Sequence, residues 1–497
     1  MAVDFGAVVR KGKRRADLVD QPSHLPKADR HDLPFVEQFV NEDLGNSAHL
    51  VGSLASRTAI LIDPVREVRP YLRTAEALGV TITHVIDTHV HNDFVSGSRE
   101  AAARTGAVVA ASREAGLQYD HLPLAEGDRL PIGDLALAVM ATPGHTPEHL
   151  AFTLLAPGTS APLALFSGGA LIVGGCARTD LLGQEMTGPL TRDLYHSLHD
   201  KILALPDRVR VYPTHGAGSF CAAAGFDERK TTIGRERERN PLVQAPSEGE
   251  FTMRALHGLP SYPVYFNWMR AINQRGPRPV SEVPAPRALS PAEVQQAQAQ
   301  GATVLDVRSP QAFADGHIPR SYAVPLEAPL LVWAGWLIPF GARLVLLGDG
   351  PGAIREATRS LALIGYEEVP GFLEGGIRAW TDAGLPTDRI TRVSARDLHD
   401  RFRRGEAPVV LDVRQLDEWE EGHIGGAVHH ENGSLPFDEL LFPMDRPIVV
   451  HCGVGNRAIA GISVLRRRGY RDLTFLEGGF AAWEAAGFEV VRGLGSE

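Results

Sequence analysis

The sequence predicts an α/β protein of several folded blocks, and three observations carry that expectation. Short apolar runs of strand-like character alternate with helical stretches along most of the chain. A long segment occurs twice, with Val304 and Val410 opening the same Val-Leu-Asp-Val-Arg run 106 positions apart. Several histidines stand just after apolar runs, beside proline or glycine. With 497 residues, the chain has room for about three domains.

Composition removes several classes. Hydrophobic residues make up 44% and charged residues 22%, as in ordinary globular proteins, so collagen-like, low-complexity and disordered readings fail. The net charge is −10, from 60 acidic and 50 basic residues, and no nucleic-acid partner is expected. The three cysteines, Cys176, Cys221 and Cys452, cannot form a disulfide framework. A cytoplasmic, reducing location is expected, and each thiol is a candidate for chemistry.

Residues 1–32 are polar, with a basic run at 11–15 and no apolar core behind it, and read as a flexible arm rather than a signal peptide. A first domain is expected over 33–273. Strands are expected at 35–40 and 58–63, and a helix at 71–78 ended by Gly79. The apolar strand at 82–87 runs into Thr88-His89-Val90-His91-Asn92-Asp93. His89 and His91 alternate about one residue, so they converge only if the loop turns. His145 follows Thr-Pro-Gly, and His215 follows Tyr-Pro-Thr. Several imidazoles plus Asp93 on adjacent loops suit zinc or iron. By contrast, His24, His31, His196, His199, His257, His429 and His430 are read as ordinary surface or core residues.

The proline-rich stretch 274–287 reads as a linker. Behind it lie the two copies, 288–388 and 392–494. In each, a histidine in Gly-His-Ile follows the arginine of the Asp-Val-Arg run (His317, His423), and Glu-Gly-Gly precedes a tryptophan (Trp380, Trp483). Alternating short strands and helices suggest a parallel sheet. The apolar stretch 329–340 is too short for a bilayer, so no membrane is expected. It is read as a buried or interfacial piece and a candidate contact between copies of the chain.

In the second copy the strand at 448–450 ends at His451-Cys452, followed by Gly453, Val454, Gly455, Asn456 and Arg457 and then a helical run. Backbone N–H groups of such a loop can point inward at an anion. The helix start and Arg457 both favour a thiolate at Cys452. Such a thiolate can attack a sulfane sulfur and carry it as a persulfide. The first copy has Gly348-Asp349-Gly350-Pro351 there, without the cysteine or the arginine. It is read as an inactive copy serving packing or interdomain geometry.

Residues 393–491 resemble the rhodanese family, through Asp412-Val413-Arg414, Gly422-His423-Ile424, the loop 452–457 and the closing run 476–483. The resemblance implies a sulfurtransferase with Cys452 carrying sulfur between donors such as thiosulfate and small thiols. The six-residue loop suits sulfur, whereas phosphatase relatives use a longer one.

Residues 33–242 resemble the metallo-β-lactamase superfamily, and within it the persulfide dioxygenases, including their fusions to rhodanese domains. The resemblance rests on Asp63-Pro64-Val65, 88–97, 142–146, 174–180 and 212–215. It implies an αββα sandwich and one Fe(II), or zinc, per chain. It also implies oxidation of a small thiol persulfide to sulfite with O2. The family's iron ligands would be His89, His145 and an aspartate.

The chain departs from that pattern twice. Phe94 stands where the superfamily carries a histidine of the second metal position. Gly169 stands where the family carries its aspartate, and Gly175 replaces another acidic residue. Three imidazoles alone leave the charge of a dication uncompensated. Three arrangements follow: a three-histidine site of His89, His91 and His145; a site completed by Asp93 or Cys176; or no metal. A bound metal is favoured, and Gly169→Asp is expected to raise iron occupancy. Cys176 and Cys221 are read as small buried residues, with contact to the metal or receipt of sulfur as the alternative. Rival functions are a thioesterase of the glyoxalase II type, which needs a metal-activated water, and a non-catalytic sulfur carrier. Fusion of the two activities raises the effective concentration of a shared persulfide.

Overall fold

A computed structural model describes residues 34–156, 158–222, 228–326, 330–406, 408–440 and 442–493. The arm expected at 1–32 lies outside the described residues. The described chain forms two compact units, one of 34–262 with 266–282, the other of 263–265 with 283–493.

The first unit holds two six-stranded sheets. One runs Pro34–Asn41, Asn46–Ser53, Thr58–Ile62, Thr81–Ile86, Val108–Ser112 and Leu122–Leu124, antiparallel at the start and parallel from Thr58–Ile62 onward. The other runs Thr231–Thr232, Arg210–Pro213, Pro162–Gly168, Leu150–Leu155, Leu135–Ala141 and Arg129–Ile132. Their inner faces share one apolar core that includes Ile60, Ile62 and Ile86 from the first sheet and Val139, Phe152 and Phe166 from the second. The helices Arg69–Leu78 and Ser98–Thr105 pack on the first sheet. Gln184–His196 and Glu248–Leu256 cover the second, where Leu194 and Phe251 meet Ala151 and Leu165. The layering is αββα, because each sheet has two apolar faces to bury. The helix at Arg69–Leu78 ends where Gly79 takes φ 65°, a left-handed cap that favours glycine.

The stretch expected to be a linker is fastened to this unit over its first half. Arg66 Nη2 donates to the Arg278 carbonyl at 2.5 Å and Arg99 Nη1 to that of Pro277 at 2.8 Å. The Val280 N–H donates to Glu100 Oε2 at 2.9 Å. Prolines remove donors but leave carbonyls, and the arginines of the first unit take those carbonyls.

The second unit contains two five-stranded parallel sheets of matching order. The first runs Arg287–Leu289, Gly371–Leu373, Leu344–Leu347, Thr303–Asp306 and Tyr322–Ala323. The second runs Thr391–Val393, Leu473–Leu476, Ile448–His451, Val409–Asp412 and Val428–His429. The sequence repeat is thus a repeat of fold.

The apolar stretch near 330–340 forms the helix Leu330–Leu337, buried at every position except Val332. Trp336 lies so close to Gly433 that a Cβ there would sit 2.4 Å from its ring. Tyr366 Oη donates to the Ile338 carbonyl at 2.7 Å. The stretch is therefore a buried piece of its unit, and its packing includes the second copy. Among the described residues, no helix is long and apolar enough to cross a membrane.

Candidate metal centre and sulfur-transfer loop

Strand Thr81–Ile86 is central in its sheet, and its C-terminal end delivers the histidine loop into the core edge. His89, His145 and His215 converge there, fully buried, with one ligand atom from each within 4.8 Å of the others. Their hydrogen bonds fix the tautomers. Thr88 Oγ1 donates to Asp63 Oδ2 at 2.8 Å, so it accepts from His89 Nδ1 at 2.9 Å. His145 Nδ1 donates to the Arg178 carbonyl at 2.6 Å. Asn46 Nδ2 donates to Asp93 Oδ2 at 2.6 Å, which turns Asn46 Oδ1 to accept from His215 Nδ1 at 3.0 Å.

Each ring thus carries its proton on Nδ1 and presents a bare Nε2. The Nε2 atoms of His89 and His215 face each other at 3.3 Å, with no hydrogen to share, and His145 Nε2 is buried without a partner. Burial and the neighbouring imidazoles hold His89 well below its ordinary pKa, and they lower His145 and His215 to about 3. Three converging lone pairs in a buried site are a ligand set for a divalent cation.

His91 joins Asp93 and His215 in a second group that could hold a metal, and its Nδ1 is buried without a hydrogen-bond partner. Its Nε2 lies 3.2 Å from Asp63 Oδ1 and 3.9 Å from Asp87 Oδ1. The ring stays beside His89, with centroids 4.2 Å apart. Phe94 stacks on His91 with ring centroids 4.2 Å apart. Asp93 stays at the centre, 3.5 Å from His215 Nδ1 and grouped with His91 and His215. The Cys221 thiol hydrogen-bonds to Asp93, and burial together with that carboxylate pushes the thiol well above its usual range. Cys176 lies in an apolar cluster with Leu171 and Leu198, and burial pushes its thiol up to about 12. Neither cysteine belongs to a metal-capable group among the described residues.

Gly169 departs from the expectation placed on it. A Cβ at this position would lie 2.8 Å from His145 Cδ2 and 2.8 Å from the Ala177 Cβ. An aspartate there would therefore require the His145 ring or Ala177 to shift. The Gly169 N–H instead donates to His149 Nε2 at 2.9 Å.

Several residues support the site whose part in it was not read from the sequence. His149 stacks on His89 and bonds through Nδ1 to Thr142 Oγ1 at 2.8 Å. Its position four residues after His145 is the one signal that could have found it. Asp63 has φ 50°, an uncommon conformation for a non-glycine residue. It accepts from the Thr88 N–H at 2.6 Å and also from Thr214 Oγ1, tying two ligand loops together. Burial opposes its charge, but His91 and these hydrogen bonds lower it to about 2. Arg270 makes two 2.9 Å bonds to Glu148, which accepts the Val90 N–H at 3.0 Å. Asn273 donates to the carbonyls of His91 and Phe94 at 2.8 and 2.9 Å. The helix Phe266–Arg275 therefore braces the ligand loop from outside the sandwich.

In the second unit, Cys452 directly follows strand Ile448–His451 and is 1% exposed. The Gly455 N–H donates to its Sγ at 3.1 Å, just before helix Asn456–Arg467. The Phe480 N–H binds the Cys452 carbonyl at 2.7 Å and the Ala481 N–H binds that of Gly453 at 3.0 Å. This is the local role of the Glu-Gly-Gly run: a Cβ on Gly479 would sit 2.2 Å from the Cys452 carbonyl oxygen. Arg457 makes a two-pronged pair with Glu418, with Nη2 to Oε1 at 2.8 Å and Nη1 to Oε2. Val454 is half exposed at the loop's outer edge. Beneath it, Arg414 pairs with Asp412 at 2.6 Å and binds the Gly422 carbonyl at 2.7 Å.

The rhodanese-like domain family matches residues 290–383 and 394–486. Human mitochondrial persulfide dioxygenase is 34% identical over 204 residues, covering 40% of this chain and 72% of the human protein. A hydroxyacylglutathione hydrolase of Rhodospirillum rubrum is 35% identical over 175 residues, covering 34% of this chain and 62% of that protein. Among solved structures, a metallo-β-lactamase from Staphylococcus aureus subsp. aureus COL matches with TM-score 0.61 and 29% identity, covering 69% of this chain and 99% of that one. The fold and the site define a metallo-β-lactamase-fold protein of sulfur metabolism fused to rhodanese-like domains. The chain belongs to the persulfide dioxygenase family.

Proposed function

We propose that the first unit oxidises small thiol persulfides at a single metal held by His89, His145 and His215, and that the second unit passes sulfane sulfur through Cys452. The observation that carries the first half is the set of three buried Nε2 atoms with their protons locked on Nδ1. An Fe(II) ion in that set would supply the dioxygen chemistry; zinc would supply Lewis acidity alone. Asp93 offers the negative charge that three neutral imidazoles lack, and Asn46 and Cys221 hold its carboxylate. The chain's other contribution is orientation: Asp63, Thr88, Asn46 and the Arg178 carbonyl fix each ring.

In the second unit the loop N–H of Gly455 and the helix start favour charge on Cys452 Sγ. Attack on a sulfane sulfur, from a persulfide or from thiosulfate, then leaves a Cys452 persulfide for a small thiol to collect. Buried free cysteines suit a reducing compartment such as the cytoplasm.

Metal analysis of the purified full chain, joined to O2 uptake with glutathione persulfide, tests the reading. About one iron per chain with O2 uptake supports it. Zinc with thioester hydrolysis would replace it with the hydrolase reading, against which Phe94 and the closed space at Gly169 argue. His215→Ala is expected to release the metal, and Gly169→Asp to lower metal content rather than raise it.

A further inference from the structure

Arg457 is the cation that borders the sulfur-transfer loop, but its charge is matched from within the protein. Both of its terminal nitrogens bind Glu418, and the two side chains are 10% and 15% exposed. The pair touches the loop itself: a Cβ on Gly453, next to Cys452, would lie 3.4 Å from Arg457 Nη2 and 3.9 Å from Glu418 Oε1. Glu418 also closes the start of helix Leu416–Glu421 by accepting the Gln415 N–H at 3.2 Å. Burial opposes its ionisation, but the hydrogen bonds and charge of Arg457 outweigh it and hold the carboxyl below the usual glutamate range. Asp417 stands beside both and adds a further acidic group.

The first copy supports reading Arg457 and Glu418 as one device. The residue four after Arg414 is Glu418, and the residue four after Arg308 is Ala312. Arg457 is the second residue of its helix, and the second residue of the corresponding helix Pro351–Leu363 is Gly352. Both members are missing together, as expected where a lone survivor would be a buried unpaired charge.

We infer that Glu418 is a specificity-determining residue, which neutralises Arg457 and so turns the Cys452 loop away from dianionic sulfane donors and toward thiol persulfides. Thiosulfate brings two negative charges to a loop whose guanidinium is already paired. The reacting group of a thiol persulfide brings at most one, and none when protonated, any further charge lying on the thiol's remote substituents. In the transfer, the Cys452 thiolate attacks the outer sulfur of R–S–SH. The Cys452 S–S bond forms, the R–S to sulfur bond breaks, and the electron pair leaves on R–S⁻, giving Cys452–S–SH. The inference rests on the reading of Cys452 as the sulfur-accepting nucleophile.

The test uses the full chain, with cyanide as acceptor and either thiosulfate or glutathione persulfide as donor. The wild type is expected to favour the persulfide in kcat/KM by about tenfold or more. Glu418→Gln is expected to raise the thiosulfate-to-persulfide ratio about tenfold, through the KM for thiosulfate rather than kcat. Glu418→Asp, which keeps the charge, is expected to hold the wild-type ratio. An unchanged ratio in Glu418→Gln, or equal losses with both donors, would overturn the inference. Should Glu418→Gln fail to fold, sulfate inhibition of the wild type decides. Weak inhibition, with an inhibition constant above about 10 mM, supports a neutralised loop, and tight inhibition overturns it. Absence of transfer from either donor by the wild type would instead remove the Cys452 reading itself.

Discussion

The two rhodanese-like copies share a frame and differ where a strand gives way to a helix. Strand Thr303–Asp306 pairs Asp306 with Leu347, as Val409–Asp412 pairs Asp412 with His451. Each aspartate holds its arginine at 2.6 Å, and each arginine binds the carbonyl before the Gly-His-Ile histidine, Gly316 or Gly422. From that common point the loops part. The first copy needs residues 348–350 to reach its helix, and the second uses 452–455, one residue more. In the longer loop the Gly455 N–H reaches Cys452 Sγ at 3.1 Å. The comparison teaches that the frame survives without the chemistry, because the buried Asp–Arg pair ties the strand end to the carbonyl before the histidine in both copies, while the cradle is confined to a few loop residues.

Breaking the loop gives the largest effect. Cys452→Ser is expected to abolish thiosulfate:cyanide and persulfide:cyanide transfer, by about 10³-fold or more, with the melting temperature unchanged. Residual activity at the wild-type level would show that Cys176 or Cys221 carries the sulfur. Breaking the frame comes next and does not distinguish the copies. Asp306→Ala and Asp412→Ala each leave a buried guanidinium unpaired, at a cost of about 3–5 kcal/mol in denaturant titration. Equal losses from the two variants support a shared frame; a loss confined to Asp412→Ala would make that pair part of the sulfur site.

The closing glycines give a smaller and unequal effect. Gly479 and Gly376 both have positive φ, 59° and 64°, so alanine costs about 1–2 kcal/mol of strain at either. Only Gly479 also blocks a carbonyl, since a Cβ there meets Cys452 O at 2.2 Å, while the nearest atom to Gly376 is Gly348 O at 3.8 Å. Gly479→Ala is therefore expected to lower sulfur transfer as well as stability, and Gly376→Ala only stability. Thermal melts measured beside transfer rates separate the two.

Much of this was legible in the sequence, for a physical reason. The strand at Thr58–Ile62, the helix at Arg69–Leu78 and the strand at Thr81–Ile86 announce themselves by local periodicity and by Gly79. The duplicated fold follows from the repeated Asp-Val-Arg run, because a buried ion pair constrains both residue types. The metal site was legible as a set of residues but not as an arrangement. Spacing cannot say which carboxylates His91 meets, since Asp63 and Asp87 come from elsewhere in the chain. Nor can it say that the space beside Gly169 is filled by His145 and Ala177. Glu418 escaped notice because its partner is thirty-nine positions away, and the burial of helix Leu330–Leu337, against neighbours that include Gly433, is likewise set from elsewhere in the chain.

The smallest expected effect is also the sharpest reading of the comparison. Gly348 follows the strand end of the first copy as Cys452 does in the second. A thiol placed there by Gly348→Cys would begin at a Cβ 3.0 Å from Val307 Cγ2, 3.3 Å from the Ala353 Cβ and 3.4 Å from Ile354 Cδ1. These are aliphatic groups, so burial would favour the thiol over the thiolate. Asp349 next to it would repel both a sulfane anion and a thiolate, and neither Arg457 nor Glu418 has a counterpart nearby. No sulfur transfer above the Cys452→Ser background is therefore expected when Gly348→Cys is combined with Cys452→Ser. Measurable thiocyanate from that double variant would mean that a cysteine alone, without the longer loop and its charge pair, suffices for transfer. The difference between the copies would then reduce to a single residue.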